Sequence, residues 1–201
     1  MLLNKITGYE DGTYLLPQLR DFSHGLVMAD FDGNGKPDLL VMNNTVSDKT
    51  KCEQYPAFKE CSFTSPKYSE SYVLFNFGVS GLKRGVLEIP DEIINFTKSN
   101  FERDLRLYVG HSADFNKDGK ADLVISNHRN LYILESTGAG TGKFLPAQIF
   151  SPPTKCSDSN PYSAITSYDL DGDGVEEIIA SNACDLGGAN FQVFKRDRNG
   201  V

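Results

Sequence analysis

Oxygen-bearing side chains recur at alternate positions in three stretches of the sequence. Asp30, Asp32, Asn34 and Asp38 form the first set, Asp114, Asn116, Asp118 and Asp122 the second, and Asp169, Asp171, Asp173 and Glu177 the third. Side chains at positions 1, 3, 5 and 9 of such a loop can converge on one hard cation, and a main-chain carbonyl at position 7, from Lys36, Lys120 or Val175, adds a further oxygen. Gly35, Gly119 and Gly174 stand at position 6, where a sharp turn calls for a residue that tolerates positive φ. An all-oxygen set suits calcium, whereas magnesium favours a tighter octahedral shell with waters and zinc favours nitrogen or sulfur. About three calcium sites are expected; the alternative is a set of Asx-rich turns that need no ion.

A helix-loop-helix calcium sensor requires a bidentate Glu at position 12. Val41, Ile125 and Ala180 occupy that position, each inside a run that reads as a strand, so the sensor reading fails. The elements around the loops are instead repeated. "MADFDGNGKPDLLVMN" (28–43), "SADFNKDGKADLVISN" (112–127) and "SYDLDGDGVEEIIASN" (167–182) align without a gap. The loops begin at residues 30, 114 and 169, so the starts are 84 and then 55 residues apart, and the excess falls in an aperiodic stretch from Asn44 to Ser71. The underlying unit is close to the ~40–50 residues of propeller repeats.

Each unit continues with a β-branched and aromatic run ("SYVLFNF", "LYILES", "FQVFKR") and, in the first two, with Gly-rich turns leading into "VLEI" and "FLPAQIF". This predicts four short antiparallel strands per unit. Tyr14–Leu19 resembles the "FLPAQIF" segment and is expected to be the outer strand of a preceding blade. The expected division is an outer strand in 1–22, a blade in 23–90 with its insertion at 44–71, a second blade in 91–151 and an incomplete third in 152–201.

These loops resemble the FG-GAP and VCBS-type repeats of integrin α-chain propellers, some fungal lectins and many bacterial secreted proteins. The Gly-Ala-Pro ending of the integrin type is replaced by Met42-Asn43, Ser126-Asn127 and Ser181-Asn182, which is closer to the bacterial or fungal branch. The resemblance implies an all-β fold, a β-propeller of four-stranded blades with the calcium loop joining the first and second strands of each blade on one rim. Propellers usually close with 4–8 blades. About three blades plus part of a neighbour are expected to be completed by a longer chain or by homo-oligomeric assembly.

Bulk properties agree. Of the 201 residues, 39% are hydrophobic and 23% charged, as in globular proteins. The net charge of -7 argues against nucleic acid as a partner, and three divalent ions would bring it to about -1. No run has the roughly 18 apolar residues of a membrane helix, so membrane insertion is not expected. Met1–Lys5 lacks the basic start of a signal peptide, which fits a mature or truncated form. Cys52, Cys61, Cys156 and Cys184 lack metal-ligand spacing; the readings are two disulfides, 52–61 and 156–184, in an extracellular compartment, or free buried thiols.

Strand polarity places the connections after each second strand and before each first strand on the rim away from the calcium loops. Those loops hold the insertion and the segments around Cys156 and Cys184. Lys51, Tyr55, Lys59, Tyr162 and Asp185 are the residues expected to meet a glycan or protein ligand, the aromatic rings by stacking on sugars. The competing reading of the insertion is a disulfide-pinned decorative loop. Catalysis is not expected: His24, His111 and His128 have no Ser or Cys partner evident in the sequence, and the recurring carboxylates are assigned to calcium. The function expected is an extracellular calcium-stabilised binding or adhesion module. The alternative is a noncatalytic propeller region of a larger secreted enzyme or toxin.

Overall fold

The structure, a computed structural model, describes residues 3–5, 8–10, 23–43, 71–76, 78–85, 87–90, 93, 95–96, 103–104, 107–127, 130–137, 142–151, 162–182 and 191–196. All regular elements among them are strands, apart from a short 3-10 turn at Gly78–Ser80. A small hairpin, β1 (Leu3–Lys5) with β2 (Gly8–Glu10), precedes the first large sheet. That sheet is β3 (Ser23–Ala29), β4 (Asp38–Asn43), β5 (Tyr72–Asn76) and β6 (Leu82–Gly85), antiparallel in chain order.

A two-residue ladder, β7 (Asn95–Phe96) with β8 (Arg103–Asp104), follows. The second four-stranded sheet is β9 (Val109–Ala113), β10 (Asp122–Ser126), β11 (Leu131–Leu134) and β12 (Gln148–Phe150). The third has three strands among the described residues: β13 (Tyr162–Tyr168), β14 (Glu177–Asn182) and β15 (Phe191–Phe194). The fold is all-β, built of antiparallel sheets that match propeller blades in order and connection.

The sheets stack face to face through two hydrophobic cores. Alternation along β10 sends Leu123 and Ile125 into the core shared with the first sheet, beside Val27, Leu40, Met42 and Val73, and sends Val124 into the core shared with the third, beside Ile178 and Ala180. Tyr132 and Leu134 of β11 likewise face the first sheet, and Leu131 and Ile133 the third. Burial on both faces explains the unbroken apolar runs "LVI" and "LYIL", since a strand covered on one side only would alternate with polar residues. First strands lie side by side, β3 against β9 and β9 against β13. Gly110 permits that approach: a Cβ there would lie 2.9 Å from Val27 Cγ2 and 3.0 Å from the Val124 carbonyl oxygen.

Two expectations about strands need correction. The fourth strand of the first sheet is Leu82–Gly85; "VLEI" was expected there, but Leu87 and Ile89 leave the ladder and drop into the core between the first two sheets. The turn at 78–81 is short enough to return the chain at once, so pairing begins at Asn76↔Leu82. Ser71, assigned to the insertion, is buried at the entry to β5. Tyr14–Leu19 and the rest of the insertion lie outside the described residues.

Candidate metal centres

Each acidic loop joins the first strand of a sheet to its second: β3 to β4, β9 to β10, β13 to β14. Equivalent positions of neighbouring copies touch, which puts the loops on the same rim. Ser112 Oγ donates to the carbonyl of Met28, its counterpart one sheet back, at 3.0 Å. Lys117 Nζ in the middle loop donates to the carbonyl of Asp173 in the third at 3.2 Å.

The loops share one backbone path. Position 6 has φ of 79° at Gly35, 83° at Gly119 and 81° at Gly174, as the turn demands. Position 4 is also left-handed: 72° at Gly33, 75° at Gly172, and 60° at Lys117, a residue type that rarely adopts it. The position 1 carboxylate holds the turn. Asp30 accepts from the N–H of Asn34 at 3.0 Å and of Gly35 at 2.7 Å, Asp114 from Asp118 and Gly119, and Asp169 from Gly172 and Gly174. Position 5 side chains accept from the position 7 N–H of Lys36, Lys120 and Val175.

Position 9 is the most buried acid in each loop, with Asp38, Asp122 and Glu177 all under 4% exposed. Asp38 Oδ2 accepts from Phe31 N–H at 2.9 Å and Oδ1 from Asn76 N–H at 2.8 Å. Asp122 repeats the pattern with Phe115 at 3.1 Å and Ser136 at 2.8 Å. One carboxylate thus staples the loop start to the end of the third strand. Burial raises the Asp38 carboxyl above its usual range despite those donors. Burial also pushes Asp122 up to about 6, with repulsion from Asp118 and Glu135 adding to the rise and the backbone donors Ser136 and Phe115 opposing it. Charge on Asp38 and Asp122 is costly until a cation arrives.

Carboxylate oxygens of Asp30, Asp32 and Asp38 lie within 4.8 Å of one another, as do those of Asp169, Asp171 and Glu177. Oxygens bound to one calcium at 2.3–2.6 Å sit at most about 5 Å apart, so both clusters could hold a metal ion with little movement. The middle loop, with Asn116 at position 3, does not bring three carboxylates that close. In the first loop Asn34 turns its Nδ2 toward Asp32 Oδ2 at 3.0 Å and its Oδ1 toward Lys36 N–H, so the amide must rotate to ligate.

The expected ligand-facing residues fare differently. Tyr162 is fully buried in the core between the second and third sheets, its hydroxyl donating to Gln192 Oε1 at 3.0 Å, so its ring cannot stack on a sugar. Lys51, Tyr55, Lys59 and Asp185 lie outside the described residues, as do Cys52, Cys61, Cys156 and Cys184 and both disulfide pairings.

His111 does have a serine partner, contrary to expectation: its Nε2 lies 2.9 Å from Ser167 Oγ across the second and third sheets. Ser167 in turn donates to Glu176, so the imidazole must donate to the hydroxyl oxygen, and the acid orients the serine rather than the histidine. A nucleophile needs the reverse order, with the base accepting from the hydroxyl. The cluster is a cross-sheet clamp.

Residues to which the sequence assigned no role also matter here. Asn127 Nδ2 donates to Tyr132 Oη at 2.9 Å and its Oδ1 accepts from Asn130 N–H, closing the turn from β10 to β11. The Asn that ends all three aligned copies is the signal for that role. Lys117 and Lys195 could not be singled out, because each occurs in one copy only.

Residues 114–180 match the family model described as FG-GAP-like repeat, a span that runs from position 1 of the middle loop through most of β14. That third of the chain is similar to the FG-GAP-like repeat family. Such repeats are typically extracellular, structural or binding units without catalysis of their own. No curated protein matches the chain. No helix among the described residues is long and apolar enough to cross a membrane.

Proposed function

We propose that the protein is an extracellular binding or adhesion module whose propeller blades are stabilised by calcium in the rim loops. The observation that carries the reading is the convergence of Asp30, Asp32 and Asp38, and of Asp169, Asp171 and Glu177, at calcium-compatible spacing in equivalent loops on one rim. The raised Asp38 and Asp122 carboxyls support it, since a buried anion without a counter-charge favours an incoming cation. Calcium here is structural. The loops already tie strands together, and the ion neutralises their charge.

The ligand, a glycan or a protein, binds the opposite rim. The connection from β4 to β5 leaves at that end of its sheet and carries Lys51, Tyr55 and Lys59; the connection from β14 to β15 carries Asp185. Glycan-array and pull-down binding by the calcium-loaded protein test this. Alanine at Lys51, Tyr55 and Lys59 is expected to abolish binding without changing the melting temperature. Binding that survives those changes sinks the assignment.

The outward face of the third sheet favours completion by further blades. Tyr168, Leu170, Phe191 and Val193 are exposed there, at 67%, 54%, 57% and 46%. Light scattering that finds a stable monomer at high concentration removes assembly between copies and leaves completion within a longer chain.

A further inference from the structure

The three loops differ at the residue that stands across from position 9. Pairing of Leu39 with Leu74, Leu123 with Leu134 and Ile178 with Phe194 brings Phe75 opposite Asp38, Glu135 opposite Asp122 and Lys195 opposite Glu177. The residue across from position 9 is thus apolar in the first loop, acidic in the second and cationic in the third, and in the second loop the lysine nearby, Lys120, pairs with Asp118 at 3.1 Å instead. Arg196, the next residue, bonds Glu135 of the second sheet at 2.7 Å and anchors the end of β15, which leaves Lys195 on the loop.

Lys195 Nζ bonds Asp171 Oδ2 and lies 3.6 Å from both Asp173 Oδ2 and Glu177 Oε1. Its ammonium therefore stands among the oxygens that would ligate an ion. The acids of the third loop differ as well. The first and second loops each have three carboxylates and one Asn at positions 1, 3, 5 and 9, whereas the third has four carboxylates. Position 9 has lengthened from Asp to Glu: Glu177 Oε2 accepts from Leu170 N–H at 2.8 Å, and its other oxygen, which in the shorter acids accepts a third-strand N–H, faces the lysine.

We infer that Lys195 is a built-in cation for the third loop, which keeps that blade ordered without calcium and makes calcium compete with the ammonium for the same oxygens. The second part rests on the calcium reading of the loops; the first does not. The consequence is a graded rim, in which the loop with Phe75 depends on the ion and the loop with Lys195 tolerates its loss.

Two measurements on the full chain separate the parts. In EDTA, Lys195→Met is expected to lower the melting temperature, because four clustered carboxylates lose their counter-charge, and Lys195→Arg is expected to restore it. A melt unchanged by Lys195→Met in EDTA overturns the inference whatever calcium does. In a calorimetric titration with calcium, Lys195→Met is expected to tighten the weakest site by about tenfold while the strongest stays put, an effect of the size of one solvent-screened charge pair. An unchanged weakest site beside a normal strongest one overturns the competition. No calcium heat from any site in either protein overturns the calcium reading and leaves the EDTA melt to decide on Lys195. Should Lys195→Met not fold, Lys195→Gln serves in both arms with the same expectations.

Discussion

The first and third acidic loops follow the same turn and neutralise it differently. In the first, Asp38 is held by two main-chain donors, Phe31 and Asn76, and the carboxylates of Asp30 and Asp32 converge beside it. In the third, Glu177 is held by one such donor and by the ammonium of Lys195. Position 2 differs as well. Phe31 is buried between the first and second sheets, whereas Leu170 lies on the exposed outer face. The contrast teaches that a repeat conserves a backbone path while each copy solves its charge problem with the neighbours its place in the stack supplies.

The largest effect expected comes from Asp38→Ala. It strands one buried and one part-buried N–H group, each worth about 1–3 kcal/mol when left unpaired, so a loss of roughly 2–5 kcal/mol is expected in chemical denaturation. Glu177→Ala removes one main-chain acceptor and an ion pair open to solvent, and should cost about half as much. Equal losses would break the comparison.

Calcium removal comes next. A ligand that binds only the folded state at 100 times its dissociation constant stabilises by about 2.7 kcal/mol per site, so EDTA should lower the melting temperature measurably. Asp30→Asn should abolish more of that calcium-dependent shift than Asp169→Asn does. The opposite ranking would count against the third loop as the less ion-dependent one.

Lys117 sharpens the comparison further. A left-handed conformation costs a residue with a side chain roughly 1–2 kcal/mol, yet Lys117 bonds the third loop from it. Lys117→Ala keeps that cost and loses the bond; Lys117→Gly loses both. The glycine variant should be more stable than the alanine variant by about 1 kcal/mol. If the two melt alike, position 4 carries no strain.

The smallest effect expected is a pH dependence. Burial lowers the His111 pKa below its ordinary 6.5, against the opposing pull of Glu176. The unfolded chain therefore binds the proton more readily, and the stability His111 contributes is present above 6.5 and lost as pH falls through its folded value. His111→Gln should flatten the melting temperature below pH 6.5 in a calcium-saturated sample. A profile identical to the parent would remove His111 from the clamp.

Much of this was legible in the sequence. Strand type, blade order, the loop positions and the need for glycine at position 6 follow from three aligned copies, because alternation and left-handed turns are local demands that repeat with the unit. Other assignments failed for reasons a repeat cannot reveal. Tyr162 reads as a surface aromatic beside Pro161, yet the neighbouring sheet covers it. "VLEI" reads as a strand because it is apolar, and its apolar residues serve the core between sheets instead.

The sequence by itself determined that the protein is built of repeated β units with all-oxygen loops, since periodic residue types constrain backbone and ligand chemistry directly. Only the tertiary structure decided which charge meets which loop. Phe75, Glu135 and Lys195 are 37, 13 and 18 residues from their position 9 partners, so only strand register, a consequence of packing, brings each opposite its acid.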